Sequence, residues 1–240
     1  MKKLFDGFVT ASLVISALIV AGAVARREFF TTPGQSDAAA LEIVSNWDTL
    51  KNRAIEQKDR NAQVQIVEFM DLECPFCREF NLTMHRLKRK FGDSVAVGFI
   101  HFPLENHSHA REAAHAAECA GKQGRFGPFV DSVYAKQAEL GSKHWDDFAI
   151  AAAVADLTGF RACLASAQAD SIVSAGVATA MSMHLNGTPT IIVNGWKFAS
   201  PPSEAKLDTM IAAILVGKNP FPSARLSFFR TIFAAERGSR

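Results

Sequence analysis

The chain predicts an α/β domain with a helical insertion, and three observations carry that expectation. A β-branched apolar run, Gln63 to Met70, leads almost directly into Cys74-Pro75-Phe76-Cys77 and a stretch of helical spacing. A second apolar run is followed by a long alanine-rich segment of helical character. Gly187-Thr188-Pro189 then interrupts that segment, and two short runs follow, joined by Asn194-Gly195. Asn-Gly is the favoured dipeptide of a two-residue hairpin turn.

Taken in order, Gln63–Met70 reads as a buried strand. From Cys74 to about Phe91 the residues Cys77, Phe80, Met84, Leu87 and Phe91 recur at threes and fours, which predicts a helix ended by Gly92-Asp93. Ser94 to Phe102 is a second strand, closed by Pro103. Ala110 to about Ala180 reads as helical, with breaks near Gly121–Gly127 and at Gly159. Thr190–Val193 and Trp196–Ala199 form the hairpin, and Ser203–Val216 the closing helix. Roughly 180 residues beyond Asp59 suffice for one well-packed domain. Internal repeats and low-complexity blocks are missing.

The N-terminus has a different character. Lys2 and Lys3 precede a charge-free stretch from Gly7 to Ala25, which meets Arg26-Arg27. Roughly twenty apolar residues span a bilayer, so residues 1–27 predict an N-terminal transmembrane anchor. Ala23-Val24-Ala25 also fits the small-x-small pattern of a cleaved signal peptide. Either reading exports the cysteine-bearing part, to the periplasmic side of an inner membrane. Residues 28–59 read as a linker, loosest from Thr31 to Ser36, and residues 60–216 as the folded domain, with its helical insertion at about 107–185. In the tail, 217–240, Phe228, Phe229, Ile232 and Phe233 interleave with Arg225, Arg230 and Arg237. Such a basic amphipathic stretch suits a membrane surface or docking on its own domain. A net charge of +2 gives no argument for nucleic acid.

Two cysteines separated by two residues close a small disulfide or supply half of a tetrahedral metal site. A structural zinc site needs a second close pair, whereas Cys119 and Cys163 stand far apart and the seven histidines show no finger spacing. That favours redox chemistry and leaves metal binding open. Where a strand delivers Cys74 to a helix start, unpaired N–H groups and the macrodipole favour a thiolate. Pro75 suits the first turn, where its missing N–H costs nothing. Disulfide chemistry persists in an exported domain.

At this point the chain resembles the exported, DsbA-like disulfide oxidoreductases of thioredoxin fold, from about Trp47 to Val216. The segment Val67 to Cys77 resembles the family's strand and active-site turn. Phe102-Pro103-Leu104, His109, Ala113-Ala114 and Ala116 to Ala120 resemble the entrance to its inserted helical subdomain, and Phe160 to Leu164 the far end. Gly187-Thr188-Pro189-Thr190 with Asn194-Gly195 resembles the cis-proline loop and hairpin.

The resemblance implies Cys74 as an exposed nucleophile and Cys77 as the buried partner that resolves the mixed disulfide. It implies a cis Thr188–Pro189 bond facing both sulfurs, with Thr188 offering backbone hydrogen bonds to a substrate strand. Glu68 would be the buried acid beneath the pair, relaying a proton to Cys77. Cys119 and Cys163 would form a structural disulfide clamping the insertion. No bound cofactor is implied, because the cysteines carry the electrons. The substrates would be exported cysteine-containing proteins, and a membrane redox partner would recharge the pair. Disulfide donation is the leading activity, with a reductase or isomerase as the alternative; no dimerisation module of the isomerase kind precedes Gln63.

Two departures argue for a less oxidising couple. Strongly oxidising members of the family carry a histidine between the cysteines, where this chain has Phe76. Glu73 adds a negative charge beside Cys74. A function of another class is a copper(I)-binding or metal-delivery module using Cys74 and Cys77, with Met70 or His184 as a further ligand. His109 and His115 are expected to cap or pack the first inserted helix, and Trp145 and Phe148 to pack helices.

Overall fold

The computed structural model describes residues 41–55 and 61–221. Its centre is strand β2, Val64–Met70, every residue of which is buried. A near-continuous apolar run rich in β-branched residues belongs between two neighbours, with both faces covered. Those neighbours are β3, Val95–His101, which runs parallel and sets Met70 opposite His101, and β4, Thr190–Val193, which runs antiparallel and sets Phe69 opposite Thr190. Strand β5, Trp196–Lys197, pairs with β4 and is shorter than the sequence predicts. The sheet is completed at its edge by β1, Glu42–Ile43, which gives the order β1-β5-β4-β2-β3.

The hairpin turn follows from its residues. Asn194 and Gly195 have φ of +46° and +86°, the left-handed pair that Asn-Gly tolerates. Asn194 also ties the turn to β2. Its Oδ1 accepts from the Gln65 N–H at 2.7 Å, and its Nδ2 donates to the Gln63 carbonyl at 3.0 Å.

Residues 41–55 correct the linker expectation. Besides β1 they form helix α1, Trp47–Arg53, whose Leu50 is buried with Val44 and Ala54 against the sheet. These apolar residues lie within a stretch that reads as polar on average, which hid them. Residues 28–40 and 56–59 of that linker lie outside the described residues, as do Arg60, the anchor at 1–27 and the tail from 222. Phe221, within the tail, is buried against Trp196 and Phe198. Among the described residues no helix is long and apolar enough to cross a membrane.

The pleat of β2 divides the core. Val64 and Ile66 join a cluster with α2, Pro75–Phe91, and α8, Glu204–Leu215, whereas Val67 and Phe69 face α1 and the helix Gln168–Ser182. The helical insertion comprises α3 (Ala110–Gly121), α4 (Phe126–Ala135), α5 (Trp145–Ala151), α6 (Leu157–Leu164) and α7 (Gln168–Ser182). Phe129 anchors it, with ring centroids 6.5 Å from Phe148 and 5.9 Å from Phe160.

The break expected at Gly159 falls earlier. Asp156 caps α6 by accepting from the Gly159 N–H at 2.8 Å, so the glycine lies inside the first turn. A Cβ there would stand 2.3 Å from an Asp156 carboxylate oxygen. Gly176 of α7 likewise permits a close approach, since its Cβ would lie 2.4 Å from the His101 carbonyl oxygen. Cys119 of α3 and Cys163 of α6 are joined by a disulfide with Cα atoms 5.6 Å apart.

Candidate active site

Sheet topology assembles the site. Because β2 ends where β4 begins, the turn after Met70 and the loop before Thr190 meet at one end of the two strands. The first carries Asp71 to Cys74 and the second carries the cis Thr188–Pro189 peptide. Cys74 occupies the N-cap position of α2, with Pro75 in the first turn. Its thiol donates to the Thr188 carbonyl oxygen at 3.4 Å. Cys77, one turn on, is fully buried, and its sulfur accepts from the Asp71 N–H at 3.5 Å. Both cysteines are free thiols.

The expectation of an exposed nucleophile is corrected: Cys74 is 3% exposed, while the neighbouring Phe76 is 70% exposed. The N-cap position turns Cys74 inward under Thr188, and the helix then directs Phe76 outward.

Electrostatics separate the two thiols. Cys74 is lowered from an ordinary 9.0 to about 5; the hydrogen bond with Cys77 contributes most, burial opposes it, and the Thr188 side chain and the N–H groups of Cys77 and Phe76 add to the lowering. These local bonds outweigh the repulsion expected from Glu73. Cys77 is pushed up, first by burial and then by its bond to Cys74 and the Glu68 charge. Glu68, in the middle of β2 between Phe99 and Ile191, is 1% exposed, and its Oε1 is buried without a hydrogen-bond partner. Burial raises its carboxyl well above the usual carboxylate range, and the Cys74 charge adds to this, while a hydrogen bond with Cys77 acts in the opposite sense.

Several residues around the turn escape a sequence reading. The Asp71 carboxylate accepts from the N–H groups of Glu73 (2.7 Å) and Leu104 (2.8 Å) and from His107 Nδ1 (2.7 Å). Its carbonyl accepts from the Cys74 N–H at 3.2 Å and from the Tyr134 hydroxyl at 3.4 Å. Gln137 Nε2 donates to the carbonyls of Leu72 (2.9 Å) and Cys74 (3.0 Å). His107, rather than His109, reaches this network with its ring. His109 sits at the N-cap of α3, and its N–H donates to Glu73 Oε2 at 2.6 Å. His115 approaches the Cys163 carbonyl at 3.3 Å, and Trp145 packs on Phe148. The nearest sequence signal for Asp71 was an acid three residues before Cys74; nothing local pointed to His107, Tyr134 or Gln137.

For the metal-delivery alternative, Met70 is fully buried and His184 is exposed. Among the described residues no group of three or more histidine, cysteine or acidic side chains is placed to hold an ion.

Comparison with known proteins places this geometry. A family model described as thioredoxin matches residues 57–213, and the chain belongs to that family. Within it, the likeness is to thiol-disulfide oxidoreductases of the DsbA type. BdbD of Bacillus subtilis, in its oxidised form, superposes with a TM-score of 0.62 at 22% identity, covering 75% of this chain and 99% of that one. DsbA2 of Pseudomonas aeruginosa superposes with a TM-score of 0.53 at 26% identity, covering 62% of this chain and 87% of that one. Among curated proteins, the Na(+)/H(+) antiporter NhaA 1 of Mycolicibacterium gilvum is 35% identical over 153 residues, which are 61% of this chain and 24% of the antiporter. The chain thus spans about a quarter of the length of the curated relatives it matches.

Proposed function

We propose that the chain exchanges disulfides with exported cysteine-containing proteins and acts chiefly as the disulfide donor. The observation that carries this reading is Cys74 at the N-cap of α2, facing the cis Thr188–Pro189 peptide with Cys77 buried one turn on, an arrangement that lowers Cys74 to about 5 and pushes Cys77 the other way. A stable Cys74 thiolate stabilises the reduced state and makes the disulfide the better oxidant.

In the donor direction, a substrate thiolate attacks the Cys74 sulfur of the Cys74–Cys77 disulfide. A mixed disulfide forms at Cys74, and Cys77 leaves with the electron pair. Its raised proton affinity draws a proton, and Glu68, held protonated by burial, is the acid in contact with it. A second substrate thiolate then attacks the substrate sulfur of the mixed disulfide and expels Cys74. The low proton affinity of Cys74 makes it a good leaving group. The substrate loses two electrons to the pair, which a membrane redox partner reoxidises. Thr188 and Pro189 form the wall facing the sulfurs, exposed Phe76 offers an apolar contact to the substrate, and Pro75 starts the helix. Cys119–Cys163 has a structural role in the insertion. Residues 1–27 would anchor the chain on the periplasmic side.

The test is the reduction potential of the Cys74–Cys77 pair, read by thiol alkylation of the full chain in glutathione buffers. A potential of about −120 to −180 mV supports donation, and one of about −270 mV overturns it in favour of a reductase. Failure of the pair to exchange with glutathione at all would reject redox function and favour the metal-binding alternative.

A further inference from the structure

The Asp71 carboxylate and the His107 ring have no part in the chemistry assigned above. They lie at the base of the turn that presents the nucleophile: the Asp71 carbonyl closes that turn on the Cys74 N–H, and its N–H holds the Cys77 sulfur. The Asp71 side chain has no exposed surface and binds His107, which shows only 19% of its own. Together with the Glu73 bond to the His109 N–H, these contacts clamp the loop from Pro103 to His109 onto the active-site turn.

The charge balance of this turn is the key. Asp71 and Glu73 place two acids within three residues of Cys74. No basic residue lies between Asp71 and Cys77. His107 brings a basic group to Asp71 from 36 positions away.

We propose that His107, oriented by Asp71, is a positioning residue that compensates the acids of the active-site turn and so stabilises the Cys74 thiolate. This rests on the exchange reading above. The ring bonds to Asp71 at 2.7 Å, and Glu73 of the turn and Cys74 at the start of α2 are the further charges that act on it. Burial disfavours the charged ring, but Asp71, through its hydrogen bond and charge, prevails with help from Cys74 and Glu73, and raises its proton affinity. Linkage is reciprocal: whatever the thiolate adds to the proton affinity of His107, the protonated ring returns as stabilisation of the thiolate.

Three measurements on the full chain test this. In the wild type, the His107 ring is titrated by NMR with the pair reduced and then oxidised. The midpoint should be higher in the reduced protein, where the thiolate is present; equal midpoints overturn the proposal, and no variant need fold for this result. In H107Q, the Cys74 thiolate, followed by its ultraviolet absorbance, should form at higher pH. The equilibrium with glutathione should move toward the disulfide by about fivefold, or about 20 mV. H107K, which keeps a charge and loses the ring, should recover most of that change. Equal shifts in H107Q and H107K, or none in either, overturn the proposal. If the wild-type pair does not exchange with glutathione, the exchange reading fails, whereas the ring and thiolate titrations still decide the role of His107.

Discussion

The Cys74 thiol lies 3.4 Å from the Thr188 carbonyl oxygen, although 114 positions separate the two residues. Antiparallel pairing of β2 with β4 produces this contact, because Phe69 faces Thr190 and the chain leaves β2 at the end where it enters β4. The nucleophile and the wall it faces are therefore set by sheet register. A one-residue slip of β4 would invert its side-chain faces and break the site.

The two cysteines should differ in what their loss does. C74A should abolish disulfide exchange. C77A should still let the Cys74 thiolate attack a substrate disulfide but accumulate the mixed disulfide, since the resolving thiol is gone. Non-reducing electrophoresis after incubation of the reduced variants with a disulfide-bearing substrate distinguishes them. Equal trapping by both variants would contradict the assignment.

The pH dependence follows from the lowered thiol. A folded-state pKa of about 5, below the ordinary 9.0, stabilises the reduced fold fully above the ordinary value, and this contribution is lost as pH falls through about 5. Alkylation of Cys74 should be nearly flat with pH in the neutral range and fall about tenfold per unit below the midpoint. The melting temperature of the reduced protein should drop relative to the oxidised one between neutral pH and pH 4. A thiolate midpoint near 9 would remove the basis of this expectation.

Glu68 gives the opposite sign. Its pKa is raised in the fold, so its contribution is favourable at low pH and lost as pH rises through the folded value. E68Q should therefore gain stability over the wild type in alkaline solution, as denaturant titrations at acidic and alkaline pH would show. If Glu68 supplies the proton to Cys77, E68Q should also slow release of Cys77 by about a hundredfold, measured by stopped flow. Unchanged kinetics would restrict Glu68 to a structural role.

The bridge between Cys119 and Cys163 spans 44 positions. Loop-closure entropy assigns such a bridge about 4 kcal/mol, so C119A/C163A should be less stable by roughly that amount. Because the bridge joins α3 to α6, both outside the sheet, the Cys74–Cys77 potential should move little. Denaturant titration and glutathione equilibration of the same sample check both halves.

The sequence by itself determined the features whose causes are local. The β-branched run made β2, Asn194-Gly195 made the hairpin turn, and the register of Cys77, Phe80, Met84 and Leu87 made the buried face of α2. The Cys74–Cys77 pair at a helix start was legible for the same reason, since spacing and the helix N-terminus are properties of neighbouring residues. Tertiary structure alone decided the rest. It covered Cys74, folded residues 41–55 onto the sheet, moved the start of α6 ahead of Gly159, and brought His107, Tyr134 and Gln137 to the active-site turn. These outcomes depend on burial and on hydrogen bonds between groups 33 to 65 positions apart. No periodicity encodes such partners, because they meet only after β3 lies beside β2 and the helical insertion closes over the turn.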